Sequence, residues 1–274
     1  MKKITQQNNL LSIIENLVRS NIYLFIFIRY LTNKLFAKII YETDFKILFY
    51  LKHFKFFSKK TIVDIGANDG ISIKAIRKFV KNKIFSFEPN KINYKKISKL
   101  KTRMKTLITY NLGLSNKSSN KTYIYEAHYK KYHLSPFDSL LKKNVIKHLK
   151  SSLFIKDIEK KINIKKSLIK LKKLDDFKLS PSFIKIDVQG HEFECIIGAL
   201  KTINKYRPII MIEFDKKIIN KIDKRLKKIG YLKFYFKADK IMLLKHKNEK
   251  VFNIFFIHNS LTSKISKKIK FVAN

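Results

Sequence analysis

The stretch Thr61–Val80, TIVDIGANDGISIKAIRKFV, constrains the fold more than any other part of the chain. A short apolar strand ends in a turn bracketed by two glycines and runs directly into a helical pattern. An unbroken apolar strand of this length reads as buried on both faces, as in a parallel sheet. The chain has only six glycines, and Gly66 and Gly70 are two of them. Where glycine is so scarce, such a pair marks a backbone that needs left-handed angles or the close approach of another group. A helix starting there offers unpaired N–H groups to a carboxylate or phosphate. The turn is neither the three-glycine dinucleotide fingerprint nor a P-loop, since it lacks G-x-G-x-x-G and no Gly-Lys-Ser/Thr follows.

The same alternation continues downstream. KIFSF (Lys83–Phe87) is a second strand, closed by Glu88-Pro89-Asn90, and INYKKISKLK is a helix. TLITYNLGLS (Thr106–Ser115) contains a third strand. After a less regular middle, about residues 116–175, the pattern resumes with a strand at SFIKIDV (Ser182–Val188) and a helix at QGHEFECIIGALKTI. PIIMIEF (Pro208–Phe214) is another strand. A helix at Ile218–Ile229, a strand at YLKFYF and a final strand at VFNIFFIH follow. Strands alternating with helices predict an α/β domain with a mostly parallel sheet and helices on its faces. Residues 1–57 read as a mostly helical extension, 58–260 as the main domain with 116–175 inserted near its ligand edge, and 261–274 as a basic, solvated tail.

Charge and composition narrow the function classes. The net charge is +41, yet only six of the 61 basic residues are arginine, and Trp is absent. Such a balance points to nucleic acid or an anionic surface. Lysine, isoleucine, asparagine, phenylalanine and tyrosine all have codons rich in A and T, so a skewed genome accounts for most of it. No apolar run is long enough to span a bilayer. YLFIFI (Tyr23–Ile28), with basic flanks, reads as part of a helical lid, or alternatively as an interfacial helix giving peripheral membrane contact through residues 1–57. The single cysteine, Cys195, excludes an internal disulfide framework and fits a reducing, cytoplasmic setting.

The acidic residues at strand ends carry the chemistry. Glu88 follows Asp64 at about the spacing (roughly 20 residues) that puts a ribose-binding carboxylate at the tip of the second strand. The competing reading makes Glu88 a helix N-terminal acid before Pro89. Asp187 ends a buried strand at the carboxyl edge, where ligands bind in open α/β sheets, and Glu192 and Glu213 are placed to converge on it. Hard cations take oxygen ligands. These three acids nonetheless read as structural rather than as a metal site.

In this order and spacing VDIGANDG, FEPN, NLGLSN, KLDDF, IKIDVQGHEFECIIGA and RPIIMIEF resemble the successive motifs of the FkbM-type methyltransferases, over about residues 60–260. The resemblance implies a Rossmann-like class I methyltransferase fold with a seven-stranded sheet, S-adenosylmethionine as cofactor, and O-methylation of a sugar, glycan or other small-molecule hydroxyl. It implies that Asp64, Gly66, Ala67, Asn68 and Gly70 form the loop at the methionine end of the cofactor. Glu88 with Pro89 would lie at the ribose, Asn111 and Leu112 near the adenine, and Asp187 near the transferring methyl. Gln189 stands where the family often carries Glu. Removal of the acceptor proton falls to Asp187 or His191, with Glu213 third. Nucleic acid is disfavoured as a partner, because no separate RNA-binding module accompanies the domain. An RNA methyltransferase and a non-catalytic basic binding protein are the alternatives. His128 and His133 read as loop histidines, too irregularly placed for a metal pair. Ser135 reads as a turn serine before Pro136 and Cys195 as core. No metal is expected.

Overall fold

The computed structural model describes residues 16–31, 45–237, 239–244, 251–267 and 269–272. The chain forms two compact units, one from residues 1–37 and 124–167, the other from 38–123 and 168–274.

The larger unit holds a nine-stranded sheet. Its strands are β1 (Thr61–Ile65), β2 (Ile84–Phe87), β3 (Leu107–Tyr110), β4 (Pro181–Ile186), β5 (Ile209–Glu213), β6 (Tyr231–Lys237), β7 (Lys240–Leu243), β8 (Asn253–His258) and β9 (Lys270–Val272). Their spatial order is β9-β7-β6-β8-β5-β4-β1-β2-β3. The run β3-β2-β1-β4-β5 is parallel throughout. Strand β8 is antiparallel to both β5 and β6. Strand β7 pairs antiparallel with β6 and parallel with β9. The expected seven strands are therefore present, and β7 and β9 extend one edge. The strand predicted last, β8, is not at an edge: it sits between β5 and β6.

Period-two alternation sorts each strand's side chains onto two faces. Ile62, Phe183, Ile209, Met211, Phe255 and Ile257 enter one core. Val63, Ile184, Ile186, Ile210, Ile212 and Phe256 enter the other. The first core takes Ile73 and Ile76 of helix α1 (Ile71–Phe79). The second takes Cys195 and Ile196 of helix α3 (Glu192–Ile197) and Ile219, Ile222 and Leu226 of helix α4 (Lys216–Lys227). Helix α2 (Lys91–Leu100) follows β2, and Asn90 caps it by accepting from the N–H groups of Ile92 and Asn93. Every residue of β4 is buried, including Lys185.

Residues 45–58 pack on the sheet as a helical segment, and the C-terminal segment differs from the sequence expectation. Residues 45–58 carry helices Ile47–Leu51 and Lys55–Ser58, whose Leu48, Leu51 and Phe57 are fully buried with Phe45 in the first core. This part of the predicted extension is integral to the sheet's packing. The C-terminal segment contains helix Asn259–Ser266 and strand β9, with Leu261, Ile265 and Ile269 buried. Apolar residues every fourth position tether it while Lys264, Lys267 and Lys270 are exposed.

The smaller unit contains helix Ile22–Leu31, the strand that ends at Tyr129, a short strand Tyr132–His133, a 3-10 turn Ser135–Phe137 and helix Lys142–Ser152. Its core is Ile22, Ala127, Leu134, Phe137, Val145, Leu149, Leu153, Ile158 and Ile162. The segment expected to be a loop around His128 is instead a hairpin. Arg19 donates to the Ser152 carbonyl (3.0 Å) and lies over the Phe154 ring at 3.7 Å. Among the described residues no helix is long and apolar enough to cross a membrane. Residues 1–15 and 32–44 of the predicted lid or interfacial segment lie outside the described residues.

Truncating Leu48 to Ala is expected to lower the unfolding free energy by about 2–5 kcal/mol, because it empties a filled core position. Urea denaturation checks this, and a loss below about 0.5 kcal/mol would place residues 45–58 outside the core.

Candidate functional site

The carboxyl ends of β1, β2, β4 and β5 meet where the strand order reverses between β1 and β4, the crevice in which open α/β sheets bind ligands. Gly66 begins the loop after β1 with φ +77°. A Cβ there would lie 1.9 Å from the Asp187 carbonyl oxygen, so only glycine fits. Gly70 closes the loop with φ +87°, packed against Leu100 and Ile97. Between them Ala67 is buried and Asn68 is itself left-handed, with φ 49°. The N–H groups of Gly66 and Ala67 donate to the Phe87 carbonyl at 3.0 and 3.2 Å, which ties the loop to the end of β2.

Glu88 is buried at the tip of β2, where its carboxylate links two loops. One oxygen accepts from the Asn68 N–H at 2.7 Å and the other from the Asn90 N–H at 2.8 Å. Asn90, not Glu88, caps the following helix. These two bonds orient the carboxylate. The Asn111 amide donates to the carbonyls of Glu88 and Pro89, both at 3.0 Å. Asn111, which the family resemblance puts near the adenine, thus holds the Glu88–Pro89 turn. Leu112 packs against the second core.

Asp64 is fully buried beneath this loop. Its Oδ2 accepts from the Ser72 hydroxyl at 2.7 Å, and its Oδ1 lies 3.5 Å from the Lys185 ammonium. Lys185 also donates to the Gly66 carbonyl at 2.9 Å and lies 3.3 Å from Asp187 Oδ2. One buried ammonium therefore joins β1, the glycine loop and the end of β4. Sequence reasoning missed Lys185. The signal was present: a lysine inside a strand buried on both faces, two residues before an aspartate on the same side.

Asp187 and Glu213, at the ends of β4 and β5, are brought together by Gln189. Its amide donates to Asp187 Oδ1 and to Glu213 Oε2, both at 3.1 Å. Desolvation works against a charge on Asp187, but the Lys185 ammonium and the Gln189 amide outweigh it and hold the carboxyl below its usual range. Glu213 is pushed upward by partial enclosure and by the Asp187 charge beside it. Glu192 does not join them. It turns under the loop and accepts from the N–H groups of Val188 and Gly190 at 3.1–3.2 Å. Burial raises its carboxyl. The three acids therefore do not form one ligand set.

His191 precedes α3 and makes no cap hydrogen bond. Its Nε2 lies 2.9 Å from the buried Ser115 hydroxyl and its Nδ1 3.6 Å from Glu194 Oε2. Burial lowers its pKa, which keeps the ring neutral. Cys195 is core, as expected, and its thiol lies 3.1 Å from the Leu114 carbonyl.

The family model for the methyltransferase FkbM domain matches residues 64–233. No curated protein matches. Among solved structures, the FkbM methyltransferase of Methylobacillus flagellatus KT is 14% identical with a TM-score of 0.47. The match covers 75% of this chain but only 45% of that one, so the chain spans less than half of its length. TYW2 of M. jannaschii, solved with AdoMet, is 14% identical with a TM-score of 0.35, covering 78% of this chain and 74% of that one. The Streptococcus mutans putative methyltransferase SMU.1697c, solved with SAH, is 10% identical with a TM-score of 0.36, covering 73% and 89%.

Two outcomes are expected from this site. Lys185→Met leaves Asp64 as an uncompensated buried charge and lowers stability by about 3–5 kcal/mol in denaturant titrations. Glu213→Gln removes a carboxyl whose folded pKa is raised. In the wild type that group costs stability once pH rises through the unfolded value, and the cost grows until the folded value is passed. The variant should match wild type in acid and exceed it in melting temperature as pH rises toward neutrality. Equal melting temperatures at all pH values would remove the repulsion between Asp187 and Glu213 from the account.

Proposed function

Because the chain belongs to the FkbM methyltransferase family, we propose that it transfers a methyl group from S-adenosylmethionine to a hydroxyl of a sugar, glycan or other small-molecule acceptor. The observation that carries the cofactor assignment is Glu88. Its carboxylate is fixed by the Asn68 and Asn90 N–H groups at the mouth of a glycine loop, at the strand tip where a ribose-binding acid stands in nucleotide-binding α/β folds. The surroundings fit such a ligand. Asn68 Oδ1 is buried without a hydrogen-bond partner, and the backbone at Gly66 and Gly70 has no room for side chains. Gly66, Ala67, Asn68 and Gly70 would hold the methionine end and Glu88 the ribose. Asp64 acts from below, positioning the loop through Ser72 and Lys185. When bound, the cofactor supplies a methyl group already activated on a sulfonium.

An acceptor hydroxyl is a poor nucleophile until a base takes its proton. The candidates are Asp187, His191 and Glu213, and their environments separate them. Asp187 is held ionised by Lys185, which makes it a weak base. His191 Nε2 is engaged with Ser115. Glu213 is exposed at the strand edge with its pKa raised, and a base works best when its pKa lies near the working pH. Glu213 is therefore assigned as the proton acceptor, with Asp187 and Gln189 orienting it.

Calorimetric titration with S-adenosylmethionine tests the cofactor site. Glu88→Ala should weaken binding about 10–100-fold, as expected for loss of hydrogen bonds to a charged acceptor. No binding by the folded wild type, or equal binding by the variant, contradicts the reading. With an active sugar acceptor in hand, Glu213→Gln should lower kcat about 10²–10⁴-fold while leaving cofactor affinity unchanged. An unchanged kcat would return the base to Asp187 or His191.

A further inference from the structure

We propose that Glu126, His128 and His133 form a binding site for a divalent transition-metal ion, zinc by the chemistry of its donors, inside the smaller unit. The hairpin brings them together in a way that their sequence spacing conceals. Glu126 and His128 are two residues apart on one strand and so share a face. Lys130, with φ 51°, makes the tight turn, and His133 comes back directly opposite His128 in the antiparallel register. The two imidazoles stack with centroids 4.8 Å apart at 18°. Glu126 and His128 are buried and His133 nearly so. One donor atom from each of the three lies within 4.8 Å of the others.

One donor separation already matches that of a bound ion. In a tetrahedral zinc site with bonds of about 2.0–2.1 Å, neighbouring donor atoms are about 3.3–3.4 Å apart. His128 Nε2 and Glu126 Oε2 are separated by 3.2 Å.

The surroundings of His133 supply an independent indication. Its Nε2 meets Asp138 Oδ2 at 2.8 Å. Donation from Nε2 to a carboxylate leaves Nδ1 as the unprotonated nitrogen, and Nδ1 is buried with no hydrogen-bond partner. This is the carboxylate–histidine–metal arrangement, in which an outer carboxylate fixes the ring and raises its basicity. Asp138 is itself fixed. Its Oδ1 accepts from the Ala127 N–H at 3.2 Å, and paired bonds between Tyr125 and Ser139 at 2.8 and 3.1 Å hold the segment against the strand. The ion would therefore join the hairpin to the turn that carries Asp138. The histidines that the sequence set aside as irregular loop residues are cross-strand partners.

The test uses the full chain, stripped with a chelator and titrated with Co²⁺, then with Zn²⁺. The wild type should bind one equivalent of Co²⁺ with the visible absorption of a low-coordinate site, and Zn²⁺ should bleach it. Glu126→Gln and the double variant His128→Ala/His133→Ala should lose that absorption, and His53→Ala should keep it. Asp138→Asn should weaken affinity about 10–100-fold, as loss of an outer carboxylate does. Zn²⁺ should raise the melting temperature of the wild type and not that of Glu126→Gln, which keeps the shape of the side chain. A wild type with no saturable cobalt absorption, or a Glu126→Gln variant that binds and is stabilised as the wild type is, overturns the proposal.

Discussion

The Lys185 ammonium is the interaction on which the candidate site depends. A cation in a strand buried on both faces is costly unless its partners are also fixed. Here they are Asp64, Asp187 and the Gly66 carbonyl, at 2.9–3.5 Å. Each lies at the end of a parallel strand or in the loop that follows one. The charge therefore sets the height at which β1 and β4 stop and the direction in which the glycine loop turns. Gly66 must be glycine because the same geometry brings the Asp187 carbonyl within 1.9 Å of where a Cβ would be. From that junction the loop reaches Asn68, whose N–H orients Glu88. The Lys185 cluster and the Glu88 carboxylate are thus consecutive links of one chain of contacts.

A second set of polar residues supports the first from the side. Asn111 holds the Glu88–Pro89 turn, Asn90 caps α2, and Glu192 fills the turn at Val188–Gly190. None of these needs to touch a ligand to matter for binding. They leave three acids at the sheet edge in separate roles: Glu88 as hydrogen-bond acceptor, Asp187 as an ionised neighbour of Lys185, and Glu213 as the exposed group with the raised pKa. Environment, not residue type, separates the two carboxyls at the ends of β4 and β5.

Much of the sheet was legible because parallel strands are continuous apolar runs and their ends are marked by Asp64, Glu88, Asp187 and Glu213. The glycine loop was legible because glycine is scarce in this chain. The position of β8 was not, because sequence order does not reveal an antiparallel insertion between β5 and β6. Lys185 was hidden by a composition in which lysine is common, so one buried lysine looked like the others. The packing of Leu261 and Ile265 was hidden by the same abundance of charge. His128 and His133 were hidden for another reason. Their partnership exists only across a hairpin turn, and the turn is made by Lys130 in a left-handed conformation that no glycine or asparagine announces.

Amide hydrogen exchange with and without S-adenosylhomocysteine tests the central claim most directly, since it reads the loop itself. The account predicts slowed exchange at Gly66–Gly70 and around Glu88–Asn90, with the smaller unit's hairpin unchanged. Exchange left unaltered at both loops by a saturating ligand, or protection confined to other parts of the chain, would contradict it.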